Sequence, residues 1–202
     1  AEPEVPPEPS PETQTPAEPE TPDAQTPADK YDESWEDDSS DETQTPEEAS
    51  GQAHYEEGLA KYSSGDLDGA AEEFRQAGQL APDLTEARFN LGVVLKEKGD
   101  LDGSLQVYQE VLTLEPDNVK AQTNIGAILR KQGDIKGAVA AYQKVVALTP
   151  DDARAYYNLG NALRVSGDNE GAMGVFWMCL ERIENDEDLK QRVEKAMARL
   201  FP

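Results

Sequence analysis

Three asparagines, Asn90, Asn124 and Asn158, follow one another at intervals of 34 residues. A carboxamide carries donors and an acceptor, so a row of them can pair with the main chain of an extended peptide whatever its side chains are. The alternative is that each packs or caps locally. Around them stand Lys120, Lys131 and Arg154, with Arg130, Arg164 and a further amide, Asn161. The chain holds 42 Asp and Glu against 18 Lys and Arg, so bases gathered on one stripe stand out. They would attract an acidic or carboxylate-bearing segment. The alternative is ordinary pairing between neighbouring helices. Tyr55, Phe89 and Tyr157 could stack on the side chains of such a segment.

Other chemistries find little support. Cys179 and His54 are the only cysteine and histidine, which leaves no internal disulfide and no four-ligand zinc site. No glycine-rich loop follows a strand pattern, and solvation explains the many carboxylates. We therefore expect no enzyme, no metal and no cofactor. A formal net charge of −24 speaks against nucleic acid and anionic membranes as partners. No run of about 18 apolar residues is present, so no membrane span is expected. The first residue, Ala1, fits a mature protein after signal cleavage, and equally a fragment or a trimmed initiator.

The elements that position these groups divide near Ser50. Residues 1–50 hold ten of the fourteen prolines and 17 acids against one base, Lys30. Val5, Tyr31 and Trp35 are the large apolar groups there, too few to offset the entropy of ordering, so the segment reads as an extended acidic tail. Glu-Thr-Gln-Thr-Pro occurs at 12–16 and 42–46. Threonine beside proline in an acidic strand suggests a plain solvated linker or, alternatively, O-glycosylation at Thr13, Thr15, Thr21, Thr26, Thr43 and Thr45. Residues 31–38 differ: Tyr31 and Trp35 lie four apart among acids that include Glu36, Asp37 and Asp38. Two aromatic anchors in a charge field make a candidate docking segment, against the alternative of an incidental pair.

From residue 51 the chain repeats every 34 residues, in units 51–84, 85–118, 119–152 and 153–186. Gly58, Gly92, Gly126 and Gly160 share position 8. Gly65-Asp66, Gly99-Asp100, Gly133-Asp134 and Gly167-Asp168 share positions 15 and 16. Phe74, Tyr108, Tyr142 and Phe176 share position 24, and Pro82, Pro116 and Pro150 share position 32. The Gly-Asp pair predicts the end of helix A and the N-cap of helix B. Proline ends helix B, and the following Asp83, Asp117 and Asp151 are candidate caps for the next helix A. Residues 187–201 predict one further helix, apolar along Leu189, Val193, Ala196, Met197 and Leu200.

This pattern resembles the tetratricopeptide repeat (TPR) over residues 51–186. The resemblance implies an all-α, right-handed superhelical solenoid of four helical hairpins. A C-terminal capping helix over 187–202 and the acidic Pro/Thr-rich tail complete the expected architecture. It also implies that positions 2, 6, 9 and 13 of helix A line a concave groove and that the asparagines at position 6 hold extended peptides. That groove reads acidic first (Glu56, Glu86, Glu97) and basic afterwards (Lys120, Lys131, Arg154, with Arg130 and Arg164 beside them). The family's clamp for chaperone tails matches at Asn90 and Lys120 alone, which argues against a chaperone adaptor.

Two functions follow as expectations. In one, the groove holds the acidic 31–38 segment of a neighbouring copy, giving head-to-tail self-assembly and a filament. In the other, it is an adaptor for a foreign acidic peptide. The acidic Thr-Pro tail and the Ala start favour an extracellular or periplasmic location.

Overall fold

Four glycines at φ +84° to +87° (Gly65, Gly99, Gly133 and Gly167) divide the chain into helical hairpins, because that left-handed backbone is costly for any residue with a Cβ. The computed structural model describes residues 45–200. Among them lie nine α-helices and no strand. The four hairpins are α1 (Pro46–Ser63) with α2 (Leu67–Leu80), α3 (Thr85–Lys98) with α4 (Leu101–Leu114), α5 (Val119–Gln132) with α6 (Ile135–Leu148), and α7 (Ala153–Ser166) with α8 (Asn169–Arg182). The last helix is α9 (Glu187–Met197). The principal contacts join each helix to the next in sequence, and α9 also reaches α7. This is a solenoid of stacked hairpins.

The aspartate after each of these glycines caps the second helix as expected. Asp66, Asp100, Asp134 and Asp168 accept the amide N–H of Gly69, Gly103, Gly137 and Gly171 at 2.9–3.0 Å. The ring at position 24 then fills the space between helices: Phe74, Tyr108, Tyr142 and Phe176 are all buried. Each such ring contributes roughly 2–3 kcal/mol by removal of apolar area from water. Ser104 replaces the alanine found at the same position of the other units, and its hydroxyl donates to the Gly92 carbonyl at 2.6 Å. A string of apolar clusters runs along the solenoid, one at each junction. Phe74, Leu91 and Val94 join the first and second hairpins, and Tyr108, Val111 and Ile125 the second and third. Tyr142, Leu159 and Ala162 join the third and fourth. Cys179, Leu189, Val193 and Leu200 seal the last hairpin under α9.

Three local features differ from the sequence reading. First, α1 begins at Pro46, inside the segment read as tail. Thr45 and Glu48 form a reciprocal capping box: Glu48 N–H donates to Thr45 Oγ1 at 3.2 Å, and Thr45 N–H to Glu48 Oε2 at 2.7 Å. The Thr45 hydroxyl, a candidate glycan acceptor, is thus a helix cap. Second, the first helices of later hairpins are capped one residue beyond the expected aspartates. The residues after proline are spent in a turn, closed by amide bonds such as Asn118 N–H to Glu115 O (3.0 Å) and Asp152 N–H to Thr149 O (3.1 Å). Asn118 and Asp152 become the caps of α5 and α7, while Leu84 precedes α3 with no side-chain bond. Third, α9 stops at Met197, short of residue 201. Leu200 nonetheless returns to the core, where Asn169 donates to its carbonyl at 2.9 Å. No described helix is long and apolar enough to cross a membrane.

Candidate peptide-binding groove

The first helices of successive hairpins, α3, α5 and α7, carry the predicted stripe, and three cavities follow one another along it. The first, of about 150 Å³, is lined by Glu86, Phe89, Asn118 and Lys120. The second, of about 360 Å³, shares Phe89 and Lys120 and adds Thr123, Asn124, Arg154 and Asn158. The third, of about 260 Å³, shares Asn158 and adds Arg130, Asn161, Arg164 and Arg192 beside Tyr142 and Tyr157. Shared walls make this one continuous groove, acidic at Glu86 and Glu115 and mainly basic from Lys120 onward, with Asp152 in the wall of the second cavity.

The asparagines are not equivalent. Asn90 donates from Nδ2 to Tyr55 Oη at 3.2 Å. Asn124 accepts from Lys96 Nζ and donates to the Lys120 carbonyl at 3.0 Å. Both therefore have the local partners that the alternative reading allows. Asn158 has no side-chain hydrogen bond among the described residues and faces both larger cavities. Asn161 donates to the Tyr157 carbonyl at 3.0 Å, one turn back along α7, and lines the third cavity.

The bases divide as well. Lys120, Arg130 and Arg164 line the cavities, and none has a carboxylate within 4.0 Å among the described residues. Arg154 is exposed and pairs with Asp186 Oδ2 at 3.1 Å; the Leu189 amide and this guanidinium hold the Asp186 carboxyl below its ordinary pKa. Lys131 is exposed and lines none of these three cavities. On the acidic side, Tyr62 donates its hydroxyl to Glu97 at 2.6 Å. Phe89 rests against Tyr108, with ring centroids 5.5 Å apart, which fixes its edge in the groove wall.

Two groove residues escape sequence reasoning. Tyr142 belongs to the second helix of its hairpin and carries a ring at the core position. Its phenol is pushed up in pKa by burial, an effect opposed by the guanidinium of Arg130. Arg192 lies on α9, read as a simple cap. Its guanidinium sits 4.7 Å from the Tyr157 ring centroid, and the neighbouring Tyr157 side chain raises its pKa. Spacing within α9 gives no hint of this, because packing of Leu189 and Val193 against the last hairpin decides which way Arg192 points.

The candidate docking residues Tyr31, Trp35, Glu36, Asp37 and Asp38 lie outside the described residues, as do Thr13, Thr15, Thr21, Thr26 and Thr43. Among the described residues, no group of three His, Cys, Asp or Glu is placed to hold a metal ion.

No curated protein matches the sequence at a significant level. Among solved structures, the fold is similar to "Crystal structure of MamA protein" (TM-score 0.68, 19% identity, covering 75% of this chain and 81% of that one). It is also similar to "MamA 41-end from Desulfovibrio magneticus RS-1" (TM-score 0.66, 23% identity, covering 74% and 85%). The sequence matches the family described as TPR repeat at residues 58–99, 94–133 and 126–167, in register with the glycine-marked hairpins. With this family pattern over more than half its length, the chain belongs to the TPR repeat family of protein–protein interaction scaffolds.

Proposed function

We propose that the groove along α3, α5 and α7 holds an extended acidic protein segment, and that this segment is residues 31–38 of a neighbouring copy. One observation carries the reading: a continuous groove presents Lys120, Arg130 and Arg164 with no carboxylate within 4.0 Å among the described residues, in a chain of net charge −24. Cations without a carboxylate partner among the described residues favour an acidic ligand, and segment 31–38 supplies five carboxylates around two aromatic anchors. Phe89 is an apolar surface for one of the aromatics Tyr31 and Trp35, and Asn158, with no side-chain hydrogen bond among the described residues, is an amide for the ligand's main chain. Segment and groove are different surfaces of the same chain, so the contact between copies is heterologous and propagates head to tail. The activity is that of a non-enzymatic scaffold.

Light scattering of the full chain at low and high salt tests this reading. Assembly at low salt is expected, with dissociation at high salt, where surface electrostatics are screened. Replacing the acids of 31–38 by Asn and Gln should leave monomers. Assembly that persists in that variant contradicts the reading. Monomers of the unaltered chain at every salt concentration would transfer the groove to a foreign acidic peptide.

A further inference from the structure

The third cavity differs from the rest of the groove in how its cations are placed. Arg130, Arg164 and Arg192 reach it from three separate helices, α5, α7 and α9. One carboxylate offsets them: Asp188 Oδ2, 3.4 Å from the Arg192 guanidinium and itself mostly exposed. Three guanidiniums and one carboxylate leave two positive charges in excess. Arg164 Nε is shielded from solvent and has no hydrogen-bond partner among the described residues. A charged donor without an acceptor is costly, so the Arg164 guanidinium, part of which lines the cavity, would gain from a further acceptor bound there. Asn158 and Asn161 add neutral polar groups to the same wall, and Tyr157 supports the Arg192 guanidinium from beneath.

We propose that this cavity is a subsite for a phosphate monoester dianion carried on the bound protein segment, a phosphorylated serine or threonine. A planar carboxylate engages one guanidinium fork. A tetrahedral dianion offers three strong acceptor oxygens, one for each direction from which an arginine arrives, and its charge matches the excess. The α9 helix is then a wall of the binding site as well as a cap, because Arg192 completes the triad. The proposal rests on the groove reading above. Segment 31–38 carries one serine and no threonine: Ser34 stands between its two aromatic residues, among acids.

The test uses the full chain with three probes: inorganic phosphate, a synthetic peptide of residues 29–42, and the same peptide phosphorylated on Ser34. Fluorescence anisotropy should show the phosphopeptide binding at least about tenfold tighter than the plain peptide, the gain from one or two additional charge-assisted hydrogen bonds. Arg192→Gln, an exposed substitution, should remove most of that advantage, weakening the phosphopeptide by a clearly larger factor than the plain acidic peptide. Circular dichroism of the variant confirms that α9 stays folded.

Equal affinities for the two peptides, or an equal loss of both in Arg192→Gln, would overturn the phosphate subsite and leave the groove reading standing. Arg192-dependent binding of inorganic phosphate with no binding of either peptide would uphold the subsite and defeat the choice of 31–38 as occupant. No binding of phosphate or of either peptide defeats both.

Discussion

Gly92 lies so close to Tyr108 that a Cβ placed on it would sit 2.8 Å from Cε1 of the ring. The same relationship recurs at Gly58 with Phe74, Gly126 with Tyr142 and Gly160 with Phe176. Glycine at these positions lets the two helices of a hairpin approach over the buried ring. Gly92→Ala should therefore destabilise the fold by about 1–3 kcal/mol, despite alanine's better helix propensity. Gly174, in the middle of α8, has open space where a methyl group would stand, with nothing within 4 Å. Gly174→Ala should stabilise by up to about 1 kcal/mol. Urea midpoints of the two variants should move in opposite directions.

The displaced caps give a sharper test of the turns. Asn118 Oδ1 accepts the Ala121 amide at 2.9 Å, whereas Asp117 sits in the preceding turn. Asn118→Ala should cost about 1 kcal/mol, and Asp117→Ala should stay within about 0.5 kcal/mol of the parent. Thermal denaturation followed by far-ultraviolet circular dichroism distinguishes them.

Stability should fall in acid through one group of the first hairpin. Glu73 bonds Lys61 and, at 2.7 Å, His54 Nδ1; Lys61 first and His54 second hold its carboxyl below the ordinary 4.5. A depressed folded pKa means that this contribution is fully present above pH 4.5 and is lost as pH falls through the folded value. The same contact raises Lys61, through Glu73 first and then Glu57, so its share persists up to 10.5 and is lost only as pH rises through the folded value. Glu73→Gln should flatten the decline of Tm on acidification below pH 4.5, and a decline equal to the parent's would contradict the assignment.

Cys179 should be inert in the folded chain. It is fully buried, its thiol donates to the Ala153 carbonyl at 3.0 Å, and burial pushes its pKa up to about 11. An aromatic disulfide reagent at neutral pH should find no reactive thiol in native protein and one per chain in denaturant.

Repetition made most of the fold legible. Each Gly-Asp pair and each ring at position 24 stood in register four times, and the structure gives them one role throughout. What escaped depended on single sites. The start of α1 at Pro46 was written in Thr45 and Glu48, yet the proline and acid content around them pointed to tail. The cap at Asn118 follows from how a turn closes, which neighbouring Asp and Asn residues do not reveal. Along the stripe implied by the resemblance, Lys120 and Asn158, with Arg130 and Arg164 beside it, line cavities of the structure. The stripe also included Lys131, which lines none of these three cavities, although Val165 at the same position of the next hairpin lines the third. It missed Arg192, because the orientation of α9 is a tertiary outcome of burying Leu189 and Val193.

The central claim, that the basic groove holds the acidic segment, is tested most directly by titrating a fluorescent peptide of residues 29–42 with the full chain. The comparison is the Lys120→Glu, Arg130→Glu variant, in which both altered side chains are exposed. Saturable binding is expected, weakening with salt and falling at least about tenfold in the variant. Affinity unchanged by the two charge reversals, or no binding at low salt, would contradict it.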